Sequence, residues 1–60
     1  MNLPKDSAIL LGFLNLKLRD EYSSLRALCE DLDADREGIE AQMLAFGYVY
    51  SEQANAFVCV

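Results

Sequence analysis

Histidine is absent from the 60 residues, cysteine occurs twice, and five cations stand against ten acids. Each shortage excludes something. Without histidine, and with no base at a fixed spacing from Cys29 or Cys59, nucleophilic and acid–base catalysis lack a supporting constellation. The acids could be paired into a carboxylate site, but a chain this short can hardly build a water-excluding pocket around one. It reads as a non-enzyme that needs no cofactor. A net charge of −5 keeps a small protein in solution and repels polyanions and anionic lipid. Two cysteines are too few for a secreted disulfide scaffold. Cys29 falls at a helix-core spacing where a buried thiol is ordinary, and a Cys29–Cys59 bridge is disfavoured without a secretory context. Long apolar runs are missing too. "AILLGFLNL" is far too short to span a bilayer. Asp6 upstream, "KLRDE" downstream and the lack of a small-residue cleavage site argue against a signal peptide. The expected location is the cytoplasm, and the chain from Met1 to Val60 is expected to be complete.

What is present is ordinary for a globular domain, with 53% hydrophobic and 25% charged residues. Sixty residues make one domain, which buries only about 60% of the surface its unfolded chain exposes and is marginal by itself. No linker, internal repeat or low-complexity segment divides it.

Pro4 and Asp6 suit a helix start, either with Asp6 as N-cap or with Pro4 as the first helical residue. Leucines then recur at helical spacing over residues 6–20, with Gly12 weakening the helix by roughly 1 kcal/mol relative to alanine. "YSSL" resets the chain. Ser23 or Ser24 caps a second helix, 24–32, in which Leu25, Leu28, Cys29 and Leu32 make one apolar stripe. "DAD" interrupts it, and Asp35 is a good N-cap for a third helix, 35–46, with Ala34 and Ile39 placed as a hydrophobic staple. Ile39, Met43 and Phe46 form its buried face, and Gly47 stands where a left-handed C-cap is wanted. "YVY" and "AFVCV", separated by the turn-like "SEQAN", predict a β-hairpin over 48–60 with Asn55 at a positive-φ position. The expected fold is mainly α: a helix-turn-helix-like three-helix unit with a C-terminal hairpin, α-α-α-β-β and winged-helix-like. Tyr48, Tyr50 or Phe57 should close one side of the core.

Two constellations compete for chemistry. Asp31, Asp33 and Asp35 have the D-x-D-x-D spacing of a calcium loop, but Arg36 replaces the required glycine and Gln42 the bidentate glutamate. These acids read instead as caps on the positive end of helix 3, with no metal. The helix-turn-helix reading is stronger on geometry. Arg36 and Gln42 could read bases, but Glu37, Glu40, Asp33 and Asp35 would face phosphates, and "SEQAN" has no cation.

"MNLPKD" at the start, "KLRD.YSSL.ALCEDLD.DRE" in the middle and "GY.Y.....N.F" near the end resemble a small bacterial family, Domain of Unknown Function 4250. The likeness covers nearly the whole chain. Ser7 departs from the proline associated with that position, which touches only the helix start. The resemblance implies a free-standing bacterial cytoplasmic protein and carries no activity, ligand or site residue with it.

The expected function is therefore a noncatalytic interaction module, acting as a homodimer or by binding another protein, with nucleic acid and membrane disfavoured. On a helical wheel Ile9, Phe13 and Leu16 form one stripe of helix 1, and Leu10, Leu11, Leu14 and Leu18 form a wider one. The wider stripe suits the core and the narrower one a two-fold interface, unless the hairpin covers it. Leu44, off the buried face of helix 3, adds to the exposed apolar surface. The alternative is a winged helix-turn-helix DNA-binding regulator reading through Arg36 and Gln42. A basic patch of Lys5, Lys17, Arg19 and Arg26 beside helix 3 would favour it.

Overall fold

A computed structural model describes residues 3–60; Met1 and Asn2, the first letters of "MNLPKD" and of the chain expected to be complete, lie outside the described residues. Helix α1 spans Ser7–Asp20. Asp6 is its N-cap: the backbone there is extended, and the carboxylate accepts from the N–H groups of Ala8 at 2.9 Å and Ile9 at 3.1 Å. Helix α2 spans Leu25–Leu32, and of the two candidate serines Ser24 is the cap, accepting from Ala27 N–H at 3.1 Å. It stops at Asp33, which takes the left-handed conformation (φ 53°) that Asp tolerates better than most residues.

Helix α3 spans Arg36–Phe46. Asp35 occupies its N-cap position, but its side chain makes no capping hydrogen bond, so its expected role is positional only. At the other end Gly47 (φ 98°) donates to the carbonyls of Met43 and Leu44, the left-handed stop expected there. Strands β1, Tyr48–Ser51, and β2, Ala56–Cys59, pair antiparallel in the register Tyr48–Cys59, Val49–Val58, Tyr50–Phe57 and Ser51–Ala56. Asn55, at φ 49°, turns the chain into β2. The order is three helices and then a hairpin, as the sequence predicts.

One core holds these elements together. Leu10, Leu14 and Leu18 of α1 meet Leu25, Leu28 and Cys29 of α2, Ile39 and Met43 of α3, and Phe57 of β2. Leu11, Leu32, Ala34, Tyr48 and Tyr50 pack half-buried around them. Phe46 is the exception to the expected core. Its wheel position is right, but it is the last helical residue, and the hairpin that follows places Phe57 in the interior instead. Phe46 stays 43% exposed and stacks on Tyr48, ring centroids 5.8 Å apart.

Two asparagines dock the hairpin on α1. Asn15 grips β2 at Phe57, accepting from its N–H at 2.7 Å and donating to its carbonyl at 3.2 Å. Asn55 donates to the carbonyls of Leu18 and Tyr22, both at 2.9 Å, and accepts from the Tyr50 hydroxyl at 2.7 Å. That hydroxyl in turn accepts from Leu25 N–H at 3.2 Å, the first residue of α2.

Candidate functional site

The leucines that anchor α1 in the core leave the opposite side of the helix to solvent. At about 100° per residue, Ile9, Gly12 and Leu16 lie on that opposite side; Ile9 is 62% exposed and Leu16 51%. Leu16 lines an open depression of about 650 Å³ together with Ala54, Asn55 and Ala56 of the hairpin turn. Side chains alternate along a strand, so Ala56 and Val58 share one face of β2, and register places Val58 opposite Val49. Val49 in turn lines a cleft with Glu40 and Leu44 of α3, and Leu44 is 57% exposed. Exposed apolar side chains thus form a strip over α1, the outer face of the hairpin and α3, with Asn15, Arg19 and Asn55 also lining the first depression and Glu40 the second.

This strip contains three of the four residues expected for self-association, Ile9 and Leu16 at one end and Leu44 at the other. Phe13 is not part of it. It turns toward the flank of the core, half-buried, with the Lys17 ammonium 5.7 Å from its ring centroid. The hairpin does not cover Ile9 or Leu16; it docks on the Asn15 side of α1. Val49 and Val58 were missed because their exposure depends on which face of the hairpin turns inward.

The two residues expected to read bases are engaged within the chain. Gln42 donates to the Lys5 carbonyl and the Ser7 hydroxyl, both at 3.1 Å, tying α3 to the start of α1. Arg36 faces Glu40 at 3.4 Å. Other cations also meet carboxylates: Lys17 with Glu21, Arg19 with Asp20 at 3.0 Å and Arg26 with Glu30 at 2.9 Å. Lys17 and Arg19 belong to α1 and Arg26 to α2. Arg26 and Arg36 do share a depression with Ser23, Ser24, Tyr50 and Glu52.

The three aspartates around the α2–α3 turn have structural places, and of the two cysteines Cys29 is buried and Cys59 exposed. Asp31 accepts from the Tyr22 hydroxyl, Asp33 ends α2 and Asp35 precedes α3. Among the described residues no group of three Asp, Glu or Cys side chains is placed to hold a metal ion. The hydrogen bond to Asp31, aided by partial desolvation and the negative charges of Asp31 and Glu21, pushes the Tyr22 phenol up to about 12. Burial pushes the Cys29 thiol up, the condition of an inert core cysteine, and both Cys29 and Cys59 are free thiols. Among the described residues no helix is long and apolar enough to cross a membrane.

The class this defines is a small three-helix unit closed by a hairpin, with large apolar side chains exposed on α1, the hairpin and α3. The model of one family, Domain of unknown function (DUF4250), matches residues 4–57, and the chain belongs to that family. Neither a curated protein nor a solved structure matches. Several residues that carry the resemblance now have structural duties: Ser24 caps α2, Tyr50 and Asn55 share the hairpin network, and Phe57 fills the core.

Proposed function

We propose that this chain is a noncatalytic protein–protein interaction module that self-associates by way of its outer apolar surface. The observation that carries the reading is that Ile9, Leu16, Val58, Val49 and Leu44 are all left exposed, the last three joined by strand register and a shared cleft. Scattered apolar residues on a surface need no explanation, but a contiguous patch on so small a domain marks a site of association. The marginal stability of a 60-residue core makes burial in an assembly all the more favourable. A DNA-binding role has less support. Gln42 is tied to Lys5 and Ser7, and Arg36, Lys17, Arg19 and Arg26 each stand beside a carboxylate that lowers the local positive potential a phosphate would meet.

Sedimentation velocity from low micromolar to near-millimolar chain tests the reading. A concentration-dependent shift from 6.7 kDa toward twice that mass is expected. The double variant Val49→Glu/Val58→Glu should sediment as a monomer with an unchanged circular dichroism spectrum, because both side chains face outward. A wild-type chain that remains monomeric throughout overturns the reading.

A further inference from the structure

In an antiparallel ladder, pairs that exchange both backbone hydrogen bonds alternate with pairs that exchange none, and members of the second kind turn their N–H and C=O groups away from the partner strand. Val60 N–H donates to the Gly47 carbonyl at 3.0 Å, which makes Gly47–Val60 a bonded position in this register. Val49–Val58 and Ser51–Ala56 are then bonded as well, and Tyr48, Tyr50, Phe57 and Cys59 direct their backbone groups outward. On β2 the outward groups of Phe57 are closed by the Asn15 amide. On β1 the outward N–H and C=O groups of Tyr48 and Tyr50 have no protein partner among the described residues. The strand "YVYS" is short, and Glu40 of α3 lines the cleft beside it, but the strand itself carries no charge, no proline and no bulge.

We propose that a second copy of this chain covers that edge, the two β1 strands pairing antiparallel about a two-fold axis at Val49 to make one four-stranded sheet. The inference rests on the self-association reading and names its seam. Outward groups two residues apart are self-complementary about the residue between them. Tyr48 exchanges both bonds with Tyr50 of the second copy, and Tyr50 both with Tyr48 of the second copy, so every outward group of the two tyrosines is used. On the outer face Val58 and Val49 meet Val49 and Val58 of the second copy in an unbroken row. Leu44, which shares the cleft beside β1 with Val49 and Tyr50, is covered in the same step. Asn15 occupies the outward groups of Phe57 and leaves only those of Cys59 on the other edge, so that edge cannot repeat the two-residue exchange and assembly closes at two copies. A stable interface takes about 800 Å² from each partner, about one-fifth of this chain's 4021 Å². A four-residue ladder with its flanks supplies less, so the dimer is weak and reversible.

Amide hydrogen exchange followed by NMR on the full chain reads the seam directly. The Tyr48 and Tyr50 amides should be protected at high concentration and lose protection on dilution, while Val49 and Val58 stay protected throughout. Val49→Lys sets two cations face to face on the axis and should weaken association by about tenfold or more. Glu30→Gln, which changes the net charge by the same amount on the exposed side of α2 and outside the apolar strip, should leave it unchanged. A dimer whose Tyr48 and Tyr50 amides exchange as in the dilute chain overturns edge pairing while self-association stands. So does a dimer that Val49→Lys leaves as tight as the parent. A chain that is monomeric at every concentration overturns both.

Discussion

Asn55 supports the fold in two ways, through its backbone and through its amide. Its left-handed φ turns the hairpin, and its side chain ties the end of α1, the segment after it and the Tyr50 hydroxyl to one point. Asn55→Gly keeps the turn and deletes the bonds; it should cost about 1–3 kcal/mol, read from urea denaturation. Asn55→Asp should cost more at neutral pH, because the donor facing two carbonyls becomes a charged acceptor. An Asp variant as stable as the parent would show that the two carbonyl bonds contribute nothing. The turn conformation was legible in the sequence and the network was not. Leu18 and Tyr22 contribute backbone carbonyls from 37 and 33 residues away, and a carbonyl leaves no mark in a sequence. Tyr22 makes a second residue-scale case. Its phenol is held neutral by Asp31, so it should ionise near 12 where an ordinary tyrosine does so near 10. A folded-state value raised above the unfolded one contributes stability that is complete below pH 10 and is lost between about 10 and 12. In an ultraviolet titration one tyrosine should therefore ionise late, and Asp31→Asn should bring it back toward the others.

The three helices differ in how they begin, and the difference is measurable. Asp6→Ala and Ser24→Ala each remove a side-chain cap and should cost about 1 kcal/mol apiece. Asp35→Ala removes no capping bond and should cost clearly less, although the sequence marks Asp35 as a good N-cap. Thermal unfolding of the three variants gives the order; an Asp35 variant as damaged as the Ser24 variant would contradict the geometry. Gly12 is the opposite case. A Cβ there would meet nothing within 4 Å, so Gly12→Ala should stabilise α1 by up to about 1 kcal/mol, a rise in Tm of several degrees for a domain this small. Element boundaries were legible because local chemistry sets them: Asp6 and Ser24 as caps, Gly47 as the stop, a change of period at Tyr48. Burial at the ends of elements was not. Phe46 has the right wheel position, but whether a terminal aromatic is inside depends on what the next element places there, and here Phe57 takes the space. The same limit hid the outer face, since alternation tells which hairpin residues share a side and not which side meets α1.

For the whole molecule, charge separates the two functional readings through the sign of one slope. The chain carries −5, so pairing two copies sets like charges against each other. Added salt screens that repulsion over a Debye length of about 10 Å at 0.1 M and strengthens burial of the apolar strip. Self-association should therefore tighten, or at least hold, as sodium chloride rises from about 0.05 to 0.5 M. Binding to duplex DNA would move the other way, because each phosphate neutralised releases a counterion and the affinity falls steeply with salt. Random duplex at moderate salt should show no shift with micromolar chain, since the start of α3 presents Glu37 and its arginine is paired with Glu40. The surface feature that could defeat this expectation is the depression where Arg26 and Arg36 meet Ser23 and Ser24. If duplex binds tightly at low salt and is released as salt rises, those two arginines are its contacts, and Arg26→Ala with Arg36→Ala should abolish the shift. In that event regulation of DNA takes precedence over self-association. If association tightens with salt and duplex is ignored, the acidic helix-turn-helix geometry serves the architecture of the domain and the apolar face is what the molecule presents to its partner.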